Sequence, residues 1–181
     1  MGRIQYTIPA HGVVEHNFIA AEATRQIEAQ TKVADGIETL ENGMILFINR
    51  KNMEIVKDPA KGTSCPYLMH STVRYYRAGE RGVNHFVFNV NNEEELPRLW
   101  KLNEGDKFHT NLVSYNSDEF ADDAALEKAM VGGKTLYGYP DGEGMLKLTA
   151  TEDNTSSSEF IVTLSTMQDD TKGFFVQVNR A

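Results

Sequence analysis

From Gln26 to its end the chain repeats one pattern, a strand-length run of β-branched and aromatic residues followed by a cluster of Gly, Pro, Asn or Asp. Punctuation this frequent leaves no room for regularly alternating β-α-β units and predicts a mainly β domain, closed as a barrel or packed as a sandwich. Gln26 to Val33 alternates strictly, with Ile27, Ala29, Thr31 and Val33 on one side, and reads as one half-buried strand. Asn42-Gly43 marks a turn, and Met44 to Lys57 then reads as a β-hairpin around Asn49-Arg50-Lys51-Asn52. Asp58 to Pro66 is a loop. Further strands are expected at Tyr67 to Arg77, Val83 to Val90, Leu99 to Leu102, Phe108 to Tyr115, Met145 to Thr151, Phe160 to Met167 and Phe174 to Asn179.

One short α-helix is expected from Asp118 to Val131. Phe120, Ala124 and Met130 fit a helical stripe, Asp118 and Glu119 suit the positive N-terminal end, and Gly132-Gly133 stop it. It would plug an end of the barrel or cover an open edge. Residues 1–25, with Pro9, Gly12, His11 and His16, hold no sustained period and read as an extended N-terminal arm. Residues 26–181 read as a single mainly β domain with a sizeable core.

Charge narrows the partners. A net charge of -8 gives a field that repels phosphate backbones, so neither direct nucleic acid binding nor an anionic membrane surface is expected. The longest apolar run, Met44 to Ile48, has strand length, far below the roughly 18 residues of a membrane span. The opening residues lack the apolar centre of a secretory signal, and synthesis in a cytoplasm is expected. The single cysteine, Cys65, excludes an intrachain disulfide framework and reads as a small half-buried side chain.

Patterns that carry chemistry are missing from the sequence. It contains no phosphate-binding glycine loop, no dinucleotide fingerprint, no His-Glu-x-x-His and no Gly-x-Ser-x-Gly, so no enzymatic activity, cofactor or metal is expected. Asp141-Gly142-Glu143-Gly144 lacks the alternating oxygens of a calcium loop and reads as a solvated turn. His70 and His85 fall on neighbouring expected strands, where packing outweighs metal binding. Asp118, Glu119, Asp122 and Asp123 have a structural role at the start of the helix, and Glu93-Glu94-Glu95 reads as a solvated loop. Tyr75, Tyr76, Phe86, Phe88 and Trp100 would make a carbohydrate platform if exposed, yet core packing on alternate strand faces is the simpler use.

Three segments carry a family resemblance: Arg3-Ile4-Gln5-Tyr6-Thr7-Ile8-Pro9-Ala10, Glu22-Ala23-Thr24-Arg25-Gln26-Ile27, and Leu40-Glu41-Asn42-Gly43-Met44-Ile45-Leu46. The hairpin Phe47 to Lys57, the Ala60 to Tyr67 loop and the turn Leu102 to Phe108 continue it. In this order the chain resembles the capsid decoration, or head auxiliary, proteins of tailed bacteriophages. The resemblance implies a virion structural protein on the capsid exterior that binds the major capsid protein and cements the assembled head, as a homo-oligomer or as symmetric copies. Arg3, Ile4, Tyr6 and Ile8 are the expected partner-binding residues, because apolar side chains on an arm need another surface to bury them; the alternative is an arm that packs back on its own barrel. Other readings are a tail tube, neck or adaptor subunit, a carbohydrate-binding or adhesion module, and an enzyme with an unfamiliar site.

Overall fold

A computed structural model of the chain describes residues 2–3, 14–15, 27–28, 31–62, 65–71, 87–89, 97–166 and 172–181. Its strands are short wherever turn residues crowd them. Near the start lie β1 (Gly2–Arg3), β2 (Val14–Glu15), β3 (Ile27–Glu28) and β4 (Lys32–Val33). β5 (Thr39–Glu41), β6 (Ile45–Asn49), β7 (Glu54–Val56), β8 (Tyr67–Met69), β9 (Val87–Asn89) and β10 (Leu99–Lys101) follow. After β11 (Lys107–Thr110) and β12 (Val113–Tyr115) comes the helix α1 (Asp123–Met130). The chain ends in β13 (Thr135–Pro140), β14 (Leu146–Thr149), β15 (Glu159–Thr166) and β16 (Lys172–Arg180).

The strands form an eight-stranded sheet in the order β1-β12-β14-β13-β15-β16-β11-β2 and a six-stranded sheet in the order β3-β10-β8-β6-β7-β4, with β5 and β9 paired separately. The mainly β architecture read from the sequence is therefore the architecture of the protein. Chain connectivity requires both sheets to curl. Laid flat, β11 and β12 would sit five strand spacings apart, about 24 Å at the usual interstrand distance. Thr110 and Val113 are three residues apart, a reach of about 11 Å at most, so the sheet bends round until β11 and β12 come together. The same argument bends the six-stranded sheet. Its edge strands β3 and β4 are joined through residues 29–31, a reach of about 14 Å against about 24 Å.

Alternation builds the larger core. Phe174, Val176 and Val178 of β16, Phe160 and Val162 of β15, and Leu146 and Leu148 of β14 are all buried in it. One face of the six-stranded sheet, carrying Ile45, Phe47, Val56 and Leu68, covers the same core. Its opposite face, with Leu46, Ile48, Ile55, Tyr67, Met69 and Leu99, builds a second core together with Leu40 and Leu112. The uninterrupted apolar run of Met44 to Ile48 follows directly, because β6 is buried on both faces.

Four expectations need correction. The helix begins at Asp123, later than Asp118, because the preceding acidic residues serve other ends. Glu119 accepts hydrogen bonds from the Thr149 hydroxyl and the Ala150 amide, and Phe120 turns into the core. Asp122 is the N-cap, accepting from the Ala125 amide at 2.7 Å. Residues 26–33 are not one strand: β3 pairs with β10 and β4 with β7, at opposite edges of the sheet, and Ile27 is exposed. Phe108 to Tyr115 is likewise two strands, interrupted at Asn111-Leu112 where the chain passes from one end of the curled sheet to the other. The fourth correction is a pair of strands that were not expected, β5, which pairs with β9, and, inside the eight-stranded sheet, β13. At Gly138 within it, a β-carbon would stand 3.1 Å from Val162 Cγ2, so the glycine lets the neighbouring side chains close over the strand.

The helix packs Leu126 and Met130 into the larger core beside β15, a strand inside the eight-stranded sheet.

Candidate functional site

The residues singled out from the arm divide between described and undescribed positions. Arg3 lies in β1, and its main chain pairs with Ser114 on β12 while Gly2 pairs with Tyr115. Ile4, Tyr6 and Ile8 lie outside the described residues. Farther along the arm, Val14 and Glu15 pair with Thr110 and His109 on β11. The first fifteen residues thus supply a strand to each end of the eight-stranded sheet, at the seam its curl creates between β11 and β12.

Other sequence candidates take structural places. Cys65 is half-buried against the second core. His70 is buried, its ring edge-on to Trp100 at 6.2 Å, and the Trp100 indole N–H donates to the His70 carbonyl at 3.2 Å. Trp100 packs against the larger core. His85, Tyr75, Tyr76, Phe86 and Glu93-Glu94-Glu95 lie outside the described residues, and so do most of the strands expected at Tyr67 to Arg77 and Val83 to Val90. His109 stands 3.2 Å from the Ser165 hydroxyl and 5.1 Å from the Phe175 ring centroid. Asp141 closes its own turn, accepting from the Glu143 and Met145 amides, and also accepts from the Ser114 hydroxyl at 3.0 Å.

Two features escaped the sequence reading. The first is a polar cleft of about 710 Å³ beside the β6–β7 hairpin. Its lining includes Asp35, Glu38, Glu54, Asp58 and Glu143 against Lys57 and Lys61. Glu54 pairs with Lys32 at 2.9 Å, and this hydrogen bond holds the Glu54 carboxyl below the usual carboxylate range and the Lys32 ammonium above its own. A cleft with this excess of carboxylates favours cationic groups and repels phosphate. Among the described residues no group of three or more His, Cys, Asp or Glu is arranged to hold a metal ion.

The second is a polar cluster around Glu159, which is 1% exposed. Its carboxylate accepts from the Tyr139 hydroxyl at 2.9 Å and from the Asn179 amide, with the Arg180 guanidinium 3.7 Å away. Tyr139 in turn accepts from the Asp153 amide, and Arg180 donates to the Asp153 carbonyl at 3.1 Å. Burial, reinforced by the Glu159 carboxylate, pushes the Tyr139 phenol up to about 12. Hydrogen bonds from Thr155 and Ser156 bring the Asp153 carboxyl down to about 2. The cluster pins the 152–158 loop to the sheet. Strict alternation should have turned Glu159 outward, but a register shift between Glu159 and Phe160 buries both.

Among the described residues no helix is long and apolar enough to cross a membrane. No family model, curated protein or solved structure matches this chain.

Proposed function

We propose that this chain is a virion structural protein that decorates assembled capsids of a tailed bacteriophage, binding the major capsid protein from outside as symmetric copies and stabilising the shell. The observation that carries the reading is the division of the chain. Residues after the arm build a body of curled sheets over two cores, while the described residues of the arm pair with β12 and β11 at the seam. A rigid body with an N-terminal arm along a sheet edge suits a protein that lies across joints between subunits and adds contacts there. The ordering of motifs that resembles head auxiliary proteins supports the same reading. The net charge of -8 favours a protein partner over the packaged genome.

Cosedimentation with expanded heads lacking the protein tests the proposal. Saturable binding, with greater resistance of the decorated heads to heat, is the expected result. A protein with a normal β-type circular dichroism spectrum that stays in the supernatant would overturn it.

A further inference from the structure

The sequence holds two Asp-Gly pairs, Asp35-Gly36 and Asp141-Gly142. Before a glycine the side-chain carboxyl of an aspartate is open to attack by the next main-chain nitrogen, because no β-carbon shields that nitrogen. The two glycines are matched. Both have positive φ, +86° for Gly36 and +84° for Gly142, and at neither would an added β-carbon have any atom within 4 Å. What separates the two pairs therefore lies in the aspartates.

Asp141 is locked. Its Oδ1 accepts from the Glu143 amide at 2.8 Å and the Met145 amide at 2.9 Å, and its Oδ2 accepts from the Ser114 hydroxyl at 3.0 Å. Its own amide donates to the Met145 carbonyl at 3.0 Å. Asp35 is open. It is exposed in the turn between β4 and β5, and among the described residues its carboxylate accepts no hydrogen bond and meets only the charge of the exposed Lys32. The Gly36 amide has no acceptor either, and a single bond closes the turn, from the Ile37 amide to the Ala34 carbonyl at 3.3 Å. Turning the Asp35-Gly36 peptide until its nitrogen meets the carboxyl group breaks little, whereas the same rotation at Asp141 breaks the whole set of bonds that closes its turn.

We propose that Asp35 is a site of spontaneous main-chain modification, converting to isoaspartate in the folded protein, and that the product is a substrate for carboxyl methylation. The Gly36 nitrogen bonds to Asp35 Cγ and gives up its proton, and the carboxyl group loses its hydroxyl, so that one water leaves and a five-membered succinimide closes. Water then opens the ring. Opening at the carbonyl on Cα leaves the main chain running through Cβ and Cγ and frees an α-carboxylate as the new side group. A methyltransferase using S-adenosylmethionine moves a methyl group from the sulfonium to an oxygen of that carboxylate, and the thioether departs. Conversion lengthens the main chain by one carbon at the rim of the acidic cleft, which Ala34, Asp35 and Gly36 help to line. Neither step depends on the capsid reading.

Full-length protein is incubated for weeks at neutral pH, folded in buffer and unfolded in concentrated guanidinium chloride, then digested with trypsin. Residues 33–50 carry Asp35 on one peptide and residues 135–147 carry Asp141 on another. Conversion leaves the mass unchanged, so the isomers are separated by retention and identified by electron-transfer fragmentation. In the folded chain Asp35 should convert at least about tenfold faster than Asp141, the factor that about 1.4 kcal/mol of hydrogen bonding imposes. Unfolded, the two rates should converge. Folded protein, incubated in the same way, should also take up labelled methyl groups from S-adenosylmethionine when an isoaspartate-directed methyltransferase is added. Asp35→Glu keeps the charge but cannot close the five-membered ring, and should lose most of that label. Equal rates at Asp35 and Asp141 in the folded chain overturn the proposal, and so does an Asp35 that does not convert while folded. Undiminished label in folded Asp35→Glu places the acceptor elsewhere and overturns it as well.

Discussion

The two curled sheets solve the same problem in different ways. The eight-stranded sheet carries the long ladders, with β15 and β16 paired from Glu159 to Thr166, and buries alternate residues against the shared core. In the six-stranded sheet no strand exceeds five residues among those described, yet it is buried on both faces, and packing on either side holds it. A sheet with one solvated face tolerates polar residues at every second position, as Thr163, Ser165, Gln177 and Asn179 demonstrate. A sheet covered twice does not, and β6 is apolar from Ile45 to Ile48.

The largest effect is expected where the sheets share a core. Phe160→Ala removes a fully buried ring and should cost about 3–5 kcal/mol, measured by chemical denaturation. Because Ile45, Phe47 and Leu68 rest on the same core, both sheets should unfold in one transition. Two separated transitions would break the comparison by making the six-stranded sheet an independent unit.

A smaller effect sharpens the account of the longer sheet. Gly138→Ala places a methyl group against Val162 and should cost about 1–3 kcal/mol through overpacking. Restoring space with Val162→Ala in the same chain should make the double variant more stable than the sum of the two changes, which a double-mutant cycle would read.

The smallest effects are local and depend on pH. Asp153 has its folded pKa depressed, so its stabilisation is present above the ordinary value near 4 and is lost as pH falls towards about 2. Tyr139 has its folded pKa raised, so its stabilisation is present below about 10 and is lost as pH rises towards about 12. Protection of the Thr155 amide from exchange should fall on the acid side, and Tyr139→Phe should remove one late-ionising tyrosine from the ultraviolet absorbance titration. Uniform exchange across the 152–158 loop at all pH values would separate the loop from the Glu159 cluster.

The hairpin of β6 and β7 was legible in the sequence because Asn42-Gly43 and the polar tip bracket two apolar runs. β13 was not, because Gly138 and Pro140 carry the composition of a turn, and only the packing of Leu146, Leu148 and Val162 over the glycine explains their presence in a strand. β1 and β2 are too short for any period to register, so their places at the seam follow from tertiary pairing alone. The split within Phe108 to Tyr115 was hidden for a related reason: local propensity favours a strand on both sides of Asn111, and only the curl of the sheet demands a break. The cleft gathers acids from three separate stretches of chain, which no local window joins.

The turn at Asn42-Gly43 bears on how this protein ages. An asparagine followed by glycine is the dipeptide most prone to deamidation, in which the glycine nitrogen attacks the side-chain amide and expels ammonia. Here the Asn42 side chain donates to the Ser71 carbonyl at 3.0 Å and accepts from the Ser71 amide at 2.9 Å, while the Gly43 N–H donates to the Met69 carbonyl. Asn42 is 4% exposed, so water and general base have little access. Attack would require the side chain to leave both bonds and the glycine nitrogen to leave its own. The folded chain therefore holds its most perishable dipeptide out of reaction, and loss of ammonia at Asn42 becomes a clock that runs only in molecules that have opened.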